Sequence, residues 1–105
     1  MEWKPEFDEV VARSLIGKYV LVGVTDLEEG TDRVLRDFQM HGVIVSADQR
    51  RGIVVRNPNT QEAFTLPPVT NHFHEAQPGN YRLKASGEIV SNPDLFCTWS
   101  VYRSS

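Results

Sequence analysis

Residues 34–56 read VLRDFQMHGVIVSA, then DQRRG, then IVVR, and this stretch decides the fold. The first segment has the two-residue period of a β-strand. Its bulky apolar residues fall on one side: Phe38, Met40 and Ile44. Gly42 in its middle predicts a bend or bulge, where a strand can curl from one sheet into another. DQRRG predicts a tight turn with Gly52 at positive φ, so the stretch predicts a long bent strand and its hairpin partner.

Similar patterns on both sides of this stretch predict further strands. Residues 18–25 are apolar on both faces, which indicates a central strand, and Leu66 ends a short strand before two prolines. Further short strands are predicted over residues 63–66, 81–84, 87–91 and 95–102. A helix is predicted over residues 5–16 from its apolar stripe and from Gly17 at its carboxyl end.

These elements predict a mainly β fold: a small, strongly bent antiparallel β-barrel of about six strands with one N-terminal α-helix. The bend in the second strand favours a barrel, although a sandwich stays open as an alternative. The chain of 105 residues is expected to form a single domain, residues 1–105, with the helix at about 5–16 and the barrel at about 18–103.

Composition narrows the classes of partner. The chain has 11 Lys and Arg against 14 Asp and Glu, a net charge of −3, which argues against nucleic acid and against an anionic membrane surface as partners. The amino terminus has no basic segment followed by an apolar run, and Cys97 is a single cysteine. A cytoplasmic location is therefore expected, while the identity of any partner and the presence of a homo-oligomer stay open.

Signals of chemistry are sparse. The metal-ligand candidates are His41, His72 and His74, of which the last two would share one face of a strand, but no ligand pair at characteristic spacing accompanies them. Cys97 lies in an apolar strand, as buried cysteines do. No nucleophile elbow and no glycine-rich phosphate loop is found. The expectation is a protein that is not an enzyme and that has no cofactor.

Residues 42–55, GVIVSADQRRGIVV, resemble the first motif of Sm-like proteins, which are bent barrels with an N-terminal helix that form rings on single-stranded RNA. Asp48 matches the aspartate of that motif. Gly52 stands where an asparagine is expected, Arg50 offers no aromatic ring, and the second motif is absent. The resemblance implies an alternative function, RNA binding by Asp48, Arg50 and Arg51.

The chain as a whole resembles small bacterial all-β proteins of uncharacterised function. Five features carry this resemblance: IGKYV at 16–20, His41-Gly42, Leu66-Pro67-Pro68, PGNYRL at 78–83 and Trp99. It implies a compact β domain and brings no site residues.

The function predicted from these patterns is a non-catalytic binding module for a protein or peptide partner, because small β folds leave sheet edges and grooves free for strand addition. Metal binding through the three histidines is a second alternative to this prediction, beside RNA binding. The predicted partner surface is the irregular region where apolar and titratable groups meet: Phe64, Pro67, Pro68, His72, Phe73 and His74.

Overall fold

The computed structural model describes residues 4–103. The alternation of apolar and polar residues along this part of the chain produces eight strands. The single helix is α1, Glu9–Leu15. The strands are β1 Tyr19–Glu28, β2 Val34–Asp48, β3 Gly52–Arg56, β4 Ala63–Leu66, β5 His74–Glu75, β6 Asn80–Arg82, β7 Ile89–Ser91 and β8 Leu95–Arg103.

The predicted closed antiparallel barrel is wrong. Six strands form one open sheet in the order β4–β3–β2–β1–β8–β5, and β6 and β7 form a separate two-stranded sheet. β1 and β8 run parallel, from Val20 beside Leu95 to Glu28 beside Arg103, whereas the other pairs are antiparallel.

The sheet stays open because the chain between its two edge strands cannot extend a ladder. Pro67 and Pro68 follow β4 directly and have no N–H to donate. The Val69 N–H donates back to the Pro67 carbonyl at 2.8 Å, and the Thr70 N–H donates to the Glu6 carbonyl near the start of the chain at 2.7 Å. When the chain rejoins the sheet as β5, only two residues pair with β8.

β1 is buried on both faces, as its sequence predicted for a central strand. Val20, Val22 and Val24 enter the main core. The opposite face carries Leu21, which packs with Leu83, just after β6, and with Val90 on β7. The main core is completed by residues from the helix and from four other strands: Leu15, Ile44, Ile53, Val55, Leu66 and Cys97.

The bend of β2 lies three residues after the predicted position. The pairing register with β3 shifts between Ile44 and Ser46, which leaves Val45 as the extra residue of a bulge with 42% of its surface exposed. Gly42 serves a different purpose, because a Cβ there would overlap the carbonyl oxygen of Arg56 and lie 2.6 Å from its carbonyl carbon. The prediction for Gly52 is confirmed, since its φ is +91°.

The helix is shorter than predicted because Asp8 ends the extended segment before it. The Asp8 carboxylate accepts hydrogen bonds from the N–H groups of Val10 and Val11, at 2.8 and 3.1 Å, and so caps the first turn. The buried face consists of Ala12 and Leu15, while Val10 is 77% exposed. Of the predicted apolar stripe, Leu15 lies on the buried face, whereas Phe7, Val10 and Val11 do not.

One charged cluster ties the ends of three strands together. Asp26 on β1 is buried, and its Oδ2 lies 3.3 Å from the Nε atoms of both Arg36 on β2 and Arg103 on β8. The other carboxylate oxygen, Oδ1, is buried without a hydrogen-bond partner among residues 4–103.

Over residues 4–103, no helix is long and apolar enough to cross a membrane.

Candidate functional site

β2 is far longer than β3, the strand that follows it in the hairpin. β3 pairs only with the stretch from Val43 to Asp48, so residues 34–42 have β1 on one side and, within residues 4–103, no strand on the other. Gly42 marks the boundary, where the backbone of Arg56 makes its close approach. This stretch of β2 is called the open edge below.

A cavity of about 270 Å³ lies on the open edge. Four consecutive residues, Phe38 to His41, line it. Because successive side chains of a strand point to opposite faces, a cavity lined by all four lies along the strand's edge and not on one face of the sheet. This cavity is called the edge groove, and its remaining lining comes from two other segments: Asn57, Glu62, Phe64, Leu83, Ala85, Ser86 and Glu88.

The edge groove is lined by apolar side chains and by two carboxylates. Phe38, Met40 and Phe64 are partly buried residues that pack against the main core, and they supply the apolar surface. Glu62 and Glu88 bring carboxylates from the chain after β3 and the turn before β7. Ala85 and Ser86 are exposed at the rim.

His41 holds one of these carboxylates in place. It is 4% exposed, and its Nε2 lies 2.9 Å from Oε1 of Glu88, while its Nδ1 lies 2.6 Å from the Tyr19 hydroxyl. Burial, and secondarily the negative charge of Glu88, raises the pKa of Tyr19, so the phenol keeps its proton. Because an ionised carboxylate can only accept, Nε2–H of His41 donates to Glu88.

The three histidines proposed as metal ligands are not brought together. Both ring nitrogens of His41 are engaged as described above. The rings of His72 and His74 lie 6.3 Å apart between their centroids, on the far side of the sheet order from β4. Among residues 4–103, no group of three or more His, Cys, Asp or Glu side chains could hold a metal ion.

His72 and His74 instead pack against β8. The His72 ring lies 4.4 Å from the Trp99 ring between centroids, and its Nε2 is hydrogen-bonded to the Thr98 carbonyl oxygen. The His74 ring lies 5.2 Å from that of Phe96. These contacts attach the irregular segment to the sheet, and they account for the histidines without a ligand.

The predicted partner surface is divided between two parts of the fold. Phe64 lies on β4 and lines the edge groove, but the other five residues of the predicted set do not. Phe73 packs against the core, Pro67 is exposed, and Pro68 is half-buried. Of the residues that line the edge groove, the sequence singled out Phe64 as a partner-binding candidate and His41 as a metal candidate, but not Phe38, Met40, Glu62 or Glu88.

The residues proposed for RNA binding form a hairpin turn. Oδ1 of Asp48 accepts hydrogen bonds from the N–H groups of Arg50 and Arg51, at 2.8 and 2.9 Å. Those two bonds lower the pKa of Asp48, that from Arg51 more than that from Arg50. Asp48 therefore has a structural task in the turn, while both arginines are exposed.

Cys97 is buried within the sheet. It is 1% exposed in the main core, and burial raises its pKa to about 12, although the neighbouring Trp99 indole acts in the opposite direction. The thiol is therefore protonated near neutral pH and is shielded from reagents.

Comparison with protein-family models, with curated proteins and with solved structures finds no match to this chain. Arguments about its function therefore rest on the geometry described above.

Proposed function

We propose that this domain is a non-catalytic binding module that takes up an extended peptide segment of a protein partner along the open edge of β2. The observation that carries the proposal is the edge groove. It is a cavity lined by four consecutive strand residues where β2 continues beyond its pairing with β3. The cytoplasmic location expected from the sequence remains a prediction.

Backbone chemistry supports this kind of partner. In an antiparallel ladder, every second residue directs its N–H and C=O groups to the same side. Over residues 34–42, about half of these groups face β1, and the others face the side where no strand of the described chain is paired. An extended peptide satisfies such groups by adding a strand, and a pocket beside the edge selects one of its side chains.

The proposal keeps the class of partner predicted from the sequence and moves the site. Phe64 remains part of it, because it lines the edge groove. His72, Phe73 and His74 are left out, because their contacts with β8 and the core already account for them.

Selection of peptides from a phage-displayed library of random nonapeptides, followed by anisotropy measurements on labelled synthetic peptides, tests the proposal. Ala85→Trp places an indole at the exposed rim of the edge groove, and we expect it to weaken binding at least tenfold. Gln49→Trp adds the same group at the hairpin tip at the other end of β2, and binding is expected to stay within twofold.

Strand addition also predicts an alternating pattern in the peptide. N-methylation at every second residue should abolish binding in one phase and leave it nearly intact in the other, because only one set of N–H groups faces β2. The proposal is refuted if the library yields no binder, if Ala85→Trp and Gln49→Trp behave alike, or if both N-methylation phases are equivalent.

A further inference from the structure

We infer that the peptide segment carries a lysine or arginine whose side chain enters the edge groove and whose cation reaches Glu62 and Glu88. This inference rests on the function proposed above and specifies the chemistry of the partner.

The charge of the groove lining supports a cationic occupant. The lining includes Glu62 and Glu88 and contains no lysine or arginine. Across residues 4–103, Glu62 forms no ion pair, and Glu88 contacts His41 through Oε1, 2.9 Å from the His41 Nε2. Oε2 of Glu88 accepts no hydrogen bond from the described residues, and 44% of the Glu88 side chain is exposed.

The position of Glu88 is held before any partner arrives. The hydrogen bond from buried His41, itself fixed by Tyr19, orients one carboxylate oxygen toward the protein. The second oxygen is left for a donor in the groove. A held carboxylate loses less side-chain entropy on binding than a free one, which favours a charged hydrogen bond to the partner.

The apolar wall suits the stem of a basic side chain. Lysine and arginine have aliphatic stems that cover apolar surface while the charged head remains near water or a carboxylate. Phe38, Met40 and Phe64 provide that surface beside the two glutamates. A cation already lies over the Phe38 ring, since Cζ of Arg36 is 4.1 Å from the ring centroid, and Asp26 pairs with this arginine and with Arg103.

Other side chains fit the groove less well. An acidic residue would face two carboxylates of the same sign, which is repulsive. An aliphatic residue would use the apolar wall but would displace water from Glu62 and Glu88 without offering them a hydrogen bond.

The test compares library selections on four proteins: wild type, Glu62→Gln/Glu88→Gln, Ala85→Trp and Glu75→Gln. Glutamine at position 88 can still accept the hydrogen bond from His41, so the double variant removes charge with little change of shape. Glu75 is an exposed glutamate on β5, at the opposite edge of the sheet, and provides the matched control.

We expect peptides selected on wild type and on Glu75→Gln to be enriched in lysine or arginine at one position. Replacing an enriched arginine by citrulline, its uncharged analogue, should weaken binding to wild type about tenfold, as loss of a charged hydrogen bond implies. For Glu62→Gln/Glu88→Gln the same replacement should change affinity less than twofold.

The failures are distinguishable. If peptides bind and Ala85→Trp blocks them, but no basic residue is enriched or the citrulline effect survives in Glu62→Gln/Glu88→Gln, the inference is refuted and the proposed function stands. If no peptide is selected, or if Ala85→Trp has no effect, the proposed function is refuted and this inference with it.

Discussion

Gly42 stands where β2 passes from paired strand to open edge, and its replacement by alanine tests the geometry of that boundary. A Cβ at this position would overlap the Arg56 carbonyl oxygen, lie 2.6 Å from the carbonyl carbon and lie 2.9 Å from the Asn57 nitrogen. All three are backbone atoms, and Arg56 is paired with Val43 in the ladder. They cannot rotate away as a flexible side chain would, so β3 must shift.

Forcing an additional methyl group into a packed interior typically costs about 1–3 kcal/mol. Because the clash is with backbone, we expect Gly42→Ala to cost about 3 kcal/mol of unfolding free energy. For a domain of this size, that corresponds to a fall in melting temperature of roughly 10–20 °C. Urea denaturation followed by tryptophan fluorescence and calorimetry measure the two quantities.

Gly23→Ala is the matched control, since Gly23 lies on the neighbouring central strand. A Cβ there would meet only the Cγ2 atom of Thr98, at 3.6 Å, which is ordinary van der Waals contact. Removing a glycine from a strand interior is favourable by roughly 0.5–1 kcal/mol, so this variant should be unchanged or slightly more stable. If the two variants differ by less than about 0.5 kcal/mol, the close approach of Arg56 to β2 is refuted.

Three further predictions concern charge and burial. Truncating both Arg36 and Arg103 to alanine leaves the buried Asp26 carboxylate unpaired and should cost about 3–5 kcal/mol of unfolding free energy. Asp26→Leu leaves two exposed arginines and should cost about 1 kcal/mol or less. Equal losses of unfolding free energy in urea denaturation would contradict this. The raised pKa of Cys97, about 12 against about 8.5 in an unfolded chain, means that the unfolded state loses its proton first, so stability should fall between pH 9 and 12 and fall less steeply in Cys97→Ala. The lowered pKa of Asp48 means that its contribution to stability is present at neutral pH and is lost on acidification. The difference in stability between wild type and Asp48→Ala should therefore shrink as the pH falls below about 4. A difference that persists at pH 2 would show that the carboxylate charge is not its cause.

Local pattern predicted the strands well where one residue type decides the outcome. β4 covers the predicted residues because Pro67 stops it, and the last strand, predicted over residues 95–102, packs Leu95, Cys97 and Trp99 on the core. Closure of the sheet was predicted from the bend in β2, but a bend determines how far a sheet curls and not which strands meet. That depends on the hydrogen-bond partners of Thr70 and Asn71, and these lie more than 60 residues away, at Lys4, Glu6 and Asp8.

The direction of β8 could not be predicted from its own sequence. Its alternation is compatible with either direction, since side-chain period is the same in parallel and antiparallel strands. Its place beside β1 follows from the route of the chain through β5, β6 and β7, and no residue within β8 specifies that route.

The edge groove illustrates both what a sequence contains and what it leaves out. The pattern predicted a strand of about 14 residues followed by a hairpin partner of about 4, and a partner that short cannot cover the whole strand. The difference in length was therefore a signal of an unpaired edge at residues 34–42, on the side away from β1. The chemistry of that edge was not predictable in the same way, because Glu88 reaches it from 47 residues beyond His41. A search for binding edges can thus begin from strand-length differences in the sequence, but the side chains that confer specificity come from segments whose positions only the three-dimensional fold determines.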